Sequence, residues 1–279
     1  MRTSHYITSL ILLILLTTFI SSCTERIDIE LDESYTRLVV EGGITDQPGP
    51  HEVVLSFSGN YYENAPPRMV EGAVVSISDG MQTFPLTEVL PGIYHTAADV
   101  HGIPGKTYTL TIEGVEINGE ERSFTASSFM PPVGEVDSIK VGYRDDWEIW
   151  QVQLYAQDPT TREFYLFKIY KNNELMTDTI DEYVITSDDF FNGNYTYGIT
   201  VQWLPKAQAM PGDTIILEMA SITEDYATFI WEVQTESGFS NPLFSGPPAN
   251  ISTNISNGAI GFFQASSQVR AQTVIRQPE

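Results

Sequence analysis

The chain has 279 residues, with 37 Asp and Glu against 14 Lys and Arg and a formal charge of −23 at neutral pH. Such a surplus repels phosphate backbones and anionic bilayer surfaces, which argues against nucleic-acid binding and against electrostatic adsorption to a membrane. A lone cysteine has nothing to pair with, so stability must come from packed apolar cores rather than disulfides.

From the N-terminus, Met1 to His5 carries one fixed positive charge, and an uncharged apolar run from Ile7 to Ile20 follows. The run is shorter than the roughly 20 residues that span a bilayer, and it matches the h-region of a secretory signal peptide better than a membrane anchor. Ile20-Ser21-Ser22-Cys23 resembles the bacterial lipobox. It predicts cleavage between Ser22 and Cys23 and a diacylglyceryl thioether on the Cys23 sulfur. Removing residues 1–22 takes away only Arg2 among the charged residues, so the mature chain is one unit more negative. Each buried methylene contributes about 0.8 kcal/mol, so two or three acyl chains anchor the body stably. Thr24 after the cysteine, in place of aspartate, resembles the sorting pattern of lipoproteins released to the outer membrane. The expected location is therefore the outer membrane, facing periplasm or cell surface, with bilayer contact through the lipid alone.

Residues 23–36 are short, polar and acidic and read as a tether. From Arg37 onward the apolar period is two: Val53, Leu55 and Phe57, then Val75 and Ile77, then Tyr108, Leu110 and Ile112 among threonines. Turn signals such as Asp79-Gly80, Pro91-Gly92, Pro104-Gly105 and Asn118-Gly119 separate these runs. Pro131 to Glu135 is the expected linker between residues 37–130 and 136–279. Beyond it come Ile139 to Tyr143, Trp150 to Leu154, Phe164 to Tyr170 (apolar on both faces), Tyr197 to Trp203 and Thr214 to Ser221, with Asn172-Asn173 as a hairpin turn. Ile103 to Ile112 and Met210 to Met219 echo each other, each placing a Pro-Gly turn before an alternating strand. One exception to the β pattern spans about 223–237, where Tyr226, Phe229, Ile230 and Val233 have helical spacing, Ser221 and Glu224 have capping-box spacing and Gly238 is the stop. The predicted fold is mainly β: two β-sandwich domains of immunoglobulin or fibronectin type in tandem, the second carrying one amphipathic helix.

Leu38 to Asp46 with Gly49-Pro50, Val70 to Val75, Pro104 to Tyr108, Tyr226 to Gln234 and Ser245 to Ile255 together resemble the family of Bacteroidetes lipoproteins described as domain of unknown function 4249. The resemblance spans nearly the whole mature chain. It implies an exported, lipid-anchored protein, often encoded near TonB-dependent outer-membrane receptors. It brings no catalytic residues with it.

Chemistry-bearing patterns are sparse. His51, His95 and His101 form no His-Glu-x-x-His zinc motif, no Gly-x-Ser-x-Gly elbow occurs, and acylation consumes the sole thiol, so no catalytic or metal residue is assigned. His95 and His101 are expected in loops. The doublets Asp145-Asp146, Asp181-Glu182 and Asp188-Asp189 read as solvated acids more readily than as a glycosidase pair. Asp188-Asp189-Phe190-Phe191-Asn192-Gly193-Asn194 offers oxygen ligands of the kind calcium takes, without EF-hand spacing. The same stretch is the candidate binding loop, with Asp188, Asp189, Phe190, Phe191, Asn192, Asn194 and Tyr195 as its contact residues; the alternative is a hairpin whose aromatics plug the sandwich end. Phe239 to Phe244 is a second candidate segment. Three Asp-Ser/Thr-Ile triplets, at Asp137, Asp178 and Asp213, fit a minimal O-glycosylation pattern. The function expected is a binding or accessory partner of a TonB-dependent receptor. A surface adhesion or structural module and a carboxylate-based hydrolase are the alternatives.

Overall fold

The computed structural model describes residues 36–59, 65–238 and 250–277. Before the two prolines at 131 and 132 run β1 (Leu38–Thr45), β2 (Glu52–Phe57), β3 (Val74–Ser78), β4 (Thr83–Pro85), β5 (Thr87–Leu90), β6 (Ile93–His95), β7 (Thr107–Ile117) and β8 (Glu120–Phe129). After them come β9 (Val136–Arg144), β10 (Ile149–Ala156), β11 (Phe164–Lys171), β12 (Glu174–Leu175), β13 (Val184–Ser187), β14 (Ile199–Pro205) and β15 (Thr214–Ile222). Helix α1 (Glu224–Ser237) and the long β16 (Ile260–Val274) complete the described elements. The protein is mainly β, as its period-two patterning requires.

A nine-stranded sheet runs β12-β11-β15-β16-β1-β2-β6-β5, with β13 also on β11; β14-β10-β9 and β4-β3-β7-β8 form two smaller sheets. Leu38, Val40, Leu55, Tyr94 and Phe263 of the large sheet share a core with Val75, Leu110, Ile112 and Phe124 of the four-stranded one. Ile215, Leu217, Phe167 and Val269 share another with Trp150, Val152 and Leu154 of the three-stranded one. Phe263, Ala265, Val269 and Ala271 are spaced by even numbers along β16, so both small sheets lie on the same face of the large one.

β16 is the element that joins the halves. Its residues 260–266 pair in parallel with β1, and residues 267–274 pair antiparallel with β15. Ile255, Ala259, Phe263 and Ala265 consequently belong to the N-terminal core although they lie far beyond the linker at 131–135. Where β1 ends, the Asp46 carboxylate takes over and accepts the Gln268 N–H at 3.0 Å. Asn254 bridges the same region, donating to Ser127 O and Phe263 O and accepting from Phe263 N–H. Gly261 is forced: its φ is +95°, and a Cβ there would lie 2.0 Å from Val40 O.

Local signals read from sequence have physical counterparts. Asn172 and Asn173 have φ of 53° and 71° and close a two-residue hairpin between Lys171 and Glu174, the geometry that needs two left-handed residues. Asn118 and Gly119 do the same between β7 and β8. The echo between Pro104-Gly105 and Pro211-Gly212 extends to backbone pairing. Gly105 N–H donates to Met130 O while Met130 N–H donates to Lys106 O; Gly212 N–H donates to Ile275 O while Ile275 N–H donates to Asp213 O.

The helix starts later than the capping-box spacing suggested. Ser221 lies wholly buried inside β15 with an unpartnered hydroxyl, and the cap is Thr223, whose Oγ1 accepts the Tyr226 N–H at 3.2 Å. Tyr226 and Phe229 pack against Phe262 with centroids 5.1 and 5.2 Å away, so the aromatic stripe is bound to the sheet face opposite the two small sheets. Gly238 ends the helix with φ of −66°, so it does not act as a left-handed stop.

Candidate functional site

The site arises where the open end of β11 meets the 188–195 loop. β13 pairs with β11 from Phe164↔Ser187 onward, so Asp188 emerges directly beside Glu163. Glu163 N–H donates to Asp188 Oδ2 at 3.0 Å, and Asp188 N–H returns a bond to Glu163 O at 3.2 Å. A bridge between Gln157 and Tyr195, with Asp158 N–H donating to Asn194 O at 3.1 Å, brings the other end of the loop to Asp158. Asp158, Glu163 and Asp188 thereby place one carboxylate oxygen each within 4.8 Å of one another.

All three are buried, at 5 %, 8 % and 0 % exposure. The Tyr165 hydroxyl, carried inward by β11, donates to Asp158 Oδ1 at 2.9 Å and stands 3.4 Å from Glu163 Oε2. Gly193 N–H donates to Asp158 Oδ2, and the Thr161 hydroxyl donates to Glu163 Oε1. Asp188 Oδ1 has no hydrogen-bond partner. Burial, joined by the neighbouring carboxylates, pushes both Asp158 and Glu163 above the ordinary carboxylate range. Burial and the same acids push the Tyr165 phenol up as well. Among the described residues no Lys, Arg or His pairs with any of the three. The nearest cation in sequence, Arg162, turns outward to Asp189 and Glu224.

The candidate binding loop divides by direction. Asp188 points inward, whereas Asp189 is exposed and held by Ser187 Oγ at 2.8 Å and by Arg162. Phe190 is 98 % exposed, while Phe191 turns in and stacks on Tyr165 with centroids 6.5 Å apart. The Asn192 carbonyl accepts from Asn194 Nδ2, and Tyr195 meets Tyr197 edge-on at 4.8 Å. Phe191 thus plugs the sandwich end, as the alternative reading expected of the loop's aromatics, while Phe190 projects from it.

Other sequence-level candidates are scattered. Asp145, Asp146, Asp181 and Glu182 are exposed, as expected, but Asp188 is not: the doublet splits because β13 delivers it against Glu163. His95 lies at the end of β6 rather than in a loop and contacts Glu52 at 2.9 Å. His51 is buried, its Nδ1 facing Thr45 N–H and its Nε2 facing Val100 O, an arrangement that places the proton on Nε2. Ser138 and Thr179 are exposed and Thr214 is half-buried in β15. Ser22, Cys23 and the 239–244 segment lie outside the described residues.

Sequence reading singled out Asp188 but missed Asp158, Glu163 and Tyr165, which lie up to 30 positions away and meet it only through strand pairing. The available signal was a glutamate directly ahead of a strand that is apolar on both faces. Chemically the arrangement is an all-oxygen donor set of three buried acids, suited to a hard cation.

No curated protein matches the chain. The family model "Domain of unknown function (DUF4249)" matches residues 24–272, nearly the full length, and the chain belongs to that family.

Proposed function

We propose that the protein is a lipid-anchored outer-membrane component that binds a partner or ligand for a TonB-dependent receptor and does not turn over a substrate. The observation that carries the binding reading is the loop at 188–195, whose ends and inward residues are fastened while Phe190 stands 98 % exposed. A projecting aromatic on a held loop offers apolar contact area without a large ordering cost on binding. The anchor is supported by the lipobox ending in Cys23, directly ahead of a short acidic tether and the β body. The hydrolase alternative loses support because the three acids that converge among the described residues are buried.

Extraction of native membranes in mild detergent, followed by affinity purification of the full chain, tests this. A co-purifying outer-membrane receptor, depleted several-fold for Phe190→Ala, is the expected result. Absence of any receptor together with unchanged ligand uptake in a deletion strain would overturn it and favour the adhesion module.

A further inference from the structure

Three acids within one ion's reach do not by themselves make a metal site, but here the cluster carries an independent mark. Asp188 is wholly buried, its Oδ2 is satisfied by Glu163 N–H, and its Oδ1 accepts nothing. A buried carboxylate oxygen without a donor costs as much as a lost hydrogen bond to a charged group, so native structures rarely leave one. Six carboxylate oxygens share few donors: the Tyr165 and Thr161 hydroxyls and the backbone N–H groups of Gly193 and Glu163. None of these donors is cationic. Buried negative charge of this density needs either a cation or bound protons.

We infer that Asp158, Glu163 and Asp188 bind a hard divalent cation of the calcium type, which locks the Phe190-bearing loop onto the end of the C-terminal sandwich. The donor set contains oxygen only, which disfavours zinc and copper relative to calcium, magnesium or manganese. Calcium takes mono- or bidentate carboxylates in flexible geometry, whereas magnesium retains several waters, for which an enclosed cluster leaves little room. The three ligands come from two segments, 158–163 and 188, that only strand pairing joins. An ion there clamps the loop on both sides: at Asp188, and at Asp158, which also holds Gly193 N–H. Ion binding there requires neither the lipid anchor nor a receptor.

The test uses the full chain purified in detergent and stripped with a chelator. Calorimetric titration with calcium chloride is expected to show one saturable site per chain. Terbium added to the same protein is expected to give tyrosine-sensitised emission that calcium displaces and that falls several-fold in Tyr165→Phe. Asp158→Asn and Glu163→Gln should each weaken calcium by at least about tenfold, since loss of even a supporting partner of a metal ligand typically costs that much, while the exposed Asp145→Asn leaves it unchanged. Should Asp188→Asn fail to fold, those two variants still decide the matter. No saturable site in the wild type, or binding that survives both Asp158→Asn and Glu163→Gln, would overturn the inference and leave shared protons as the source of compensation.

Discussion

Glu163 donates its backbone N–H to one oxygen of Asp188 at 3.0 Å, and the other oxygen of that carboxyl is buried with no partner. The bonded half is what the β11–β13 ladder imposes as it runs out. The free half belongs to a carboxyl that lies within reach of Asp158 and Glu163, and an ion bound among the three supplies what the ladder cannot.

Calcium should therefore stabilise the fold by mass action. At a free concentration of about 100 times Kd the gain is about 2.7 kcal/mol, which corresponds to a rise in Tm of about 5–10 °C for a chain of this size. Scanning calorimetry with and without excess chelator checks it. Identical transitions under both conditions would count against occupancy.

Gly261→Ala tests the junction of the two halves. A Cβ at φ +95° would lie 2.0 Å from Val40 O, and neither backbone can yield without separating β16 from β1. A loss of about 3 kcal/mol or more in urea unfolding is expected. Gly105→Ala, at φ +86° with open space around it, should cost only about 1–2 kcal/mol.

Two groups contribute to the acid side of the stability curve beside the other shifted carboxylates. His51 is held below its ordinary 6.5 by burial, so its contribution is complete above pH 6.5 and is lost as pH falls below that value and the unfolded chain takes up the proton first. Asp79 is lowered to about 2, chiefly by the Lys106 ammonium at 2.6 Å and then by backbone N–H groups of Gln82 and Met81. Its contribution is present above the unfolded value of 3.8 and vanishes as pH falls toward 2. Denaturant midpoints measured from pH 8 to pH 2 should fall less steeply below the unfolded value of 3.8 in Asp79→Asn than in the wild type. His51→Gln should lose less stability between pH 8 and pH 5 than the wild type, and an unchanged profile would contradict the assignment for His51.

Cys23→Ser should leave a full-length precursor that takes up no radioactive palmitate. Persistent labelling, or a mature N-terminus other than residue 23, would refute the lipobox assignment.

Much of this molecule was legible because its signals are local. Period-two runs, the Asn172-Asn173 and Asn118-Gly119 turns and the helix from Glu224 each depend on residues a few positions apart. The cap illustrates the limit: Ser221 and Thr223 both suit an N-terminus, and only the continuation of β15 to Ile222 decides between them. The parallel pairing of β1 with β16 joins residues more than 200 positions apart, and no periodicity announces it. The carboxylate cluster was half visible for the same reason. Asp188 stood out by its neighbours, whereas Asp158 and Glu163 become its partners only when β11, β13 and the Gln157–Tyr195 bridge bring them together.

A crystal structure of the full chain grown in calcium would show directly whether an ion sits among the three acids. The expected density is one strong peak at about 2.3–2.6 Å from oxygens of Asp158, Glu163 and Asp188, with Asp188 Oδ1 among its ligands. Carboxyl oxygens of the three acids at direct hydrogen-bond distance from one another, with no ion peak between them, would contradict it.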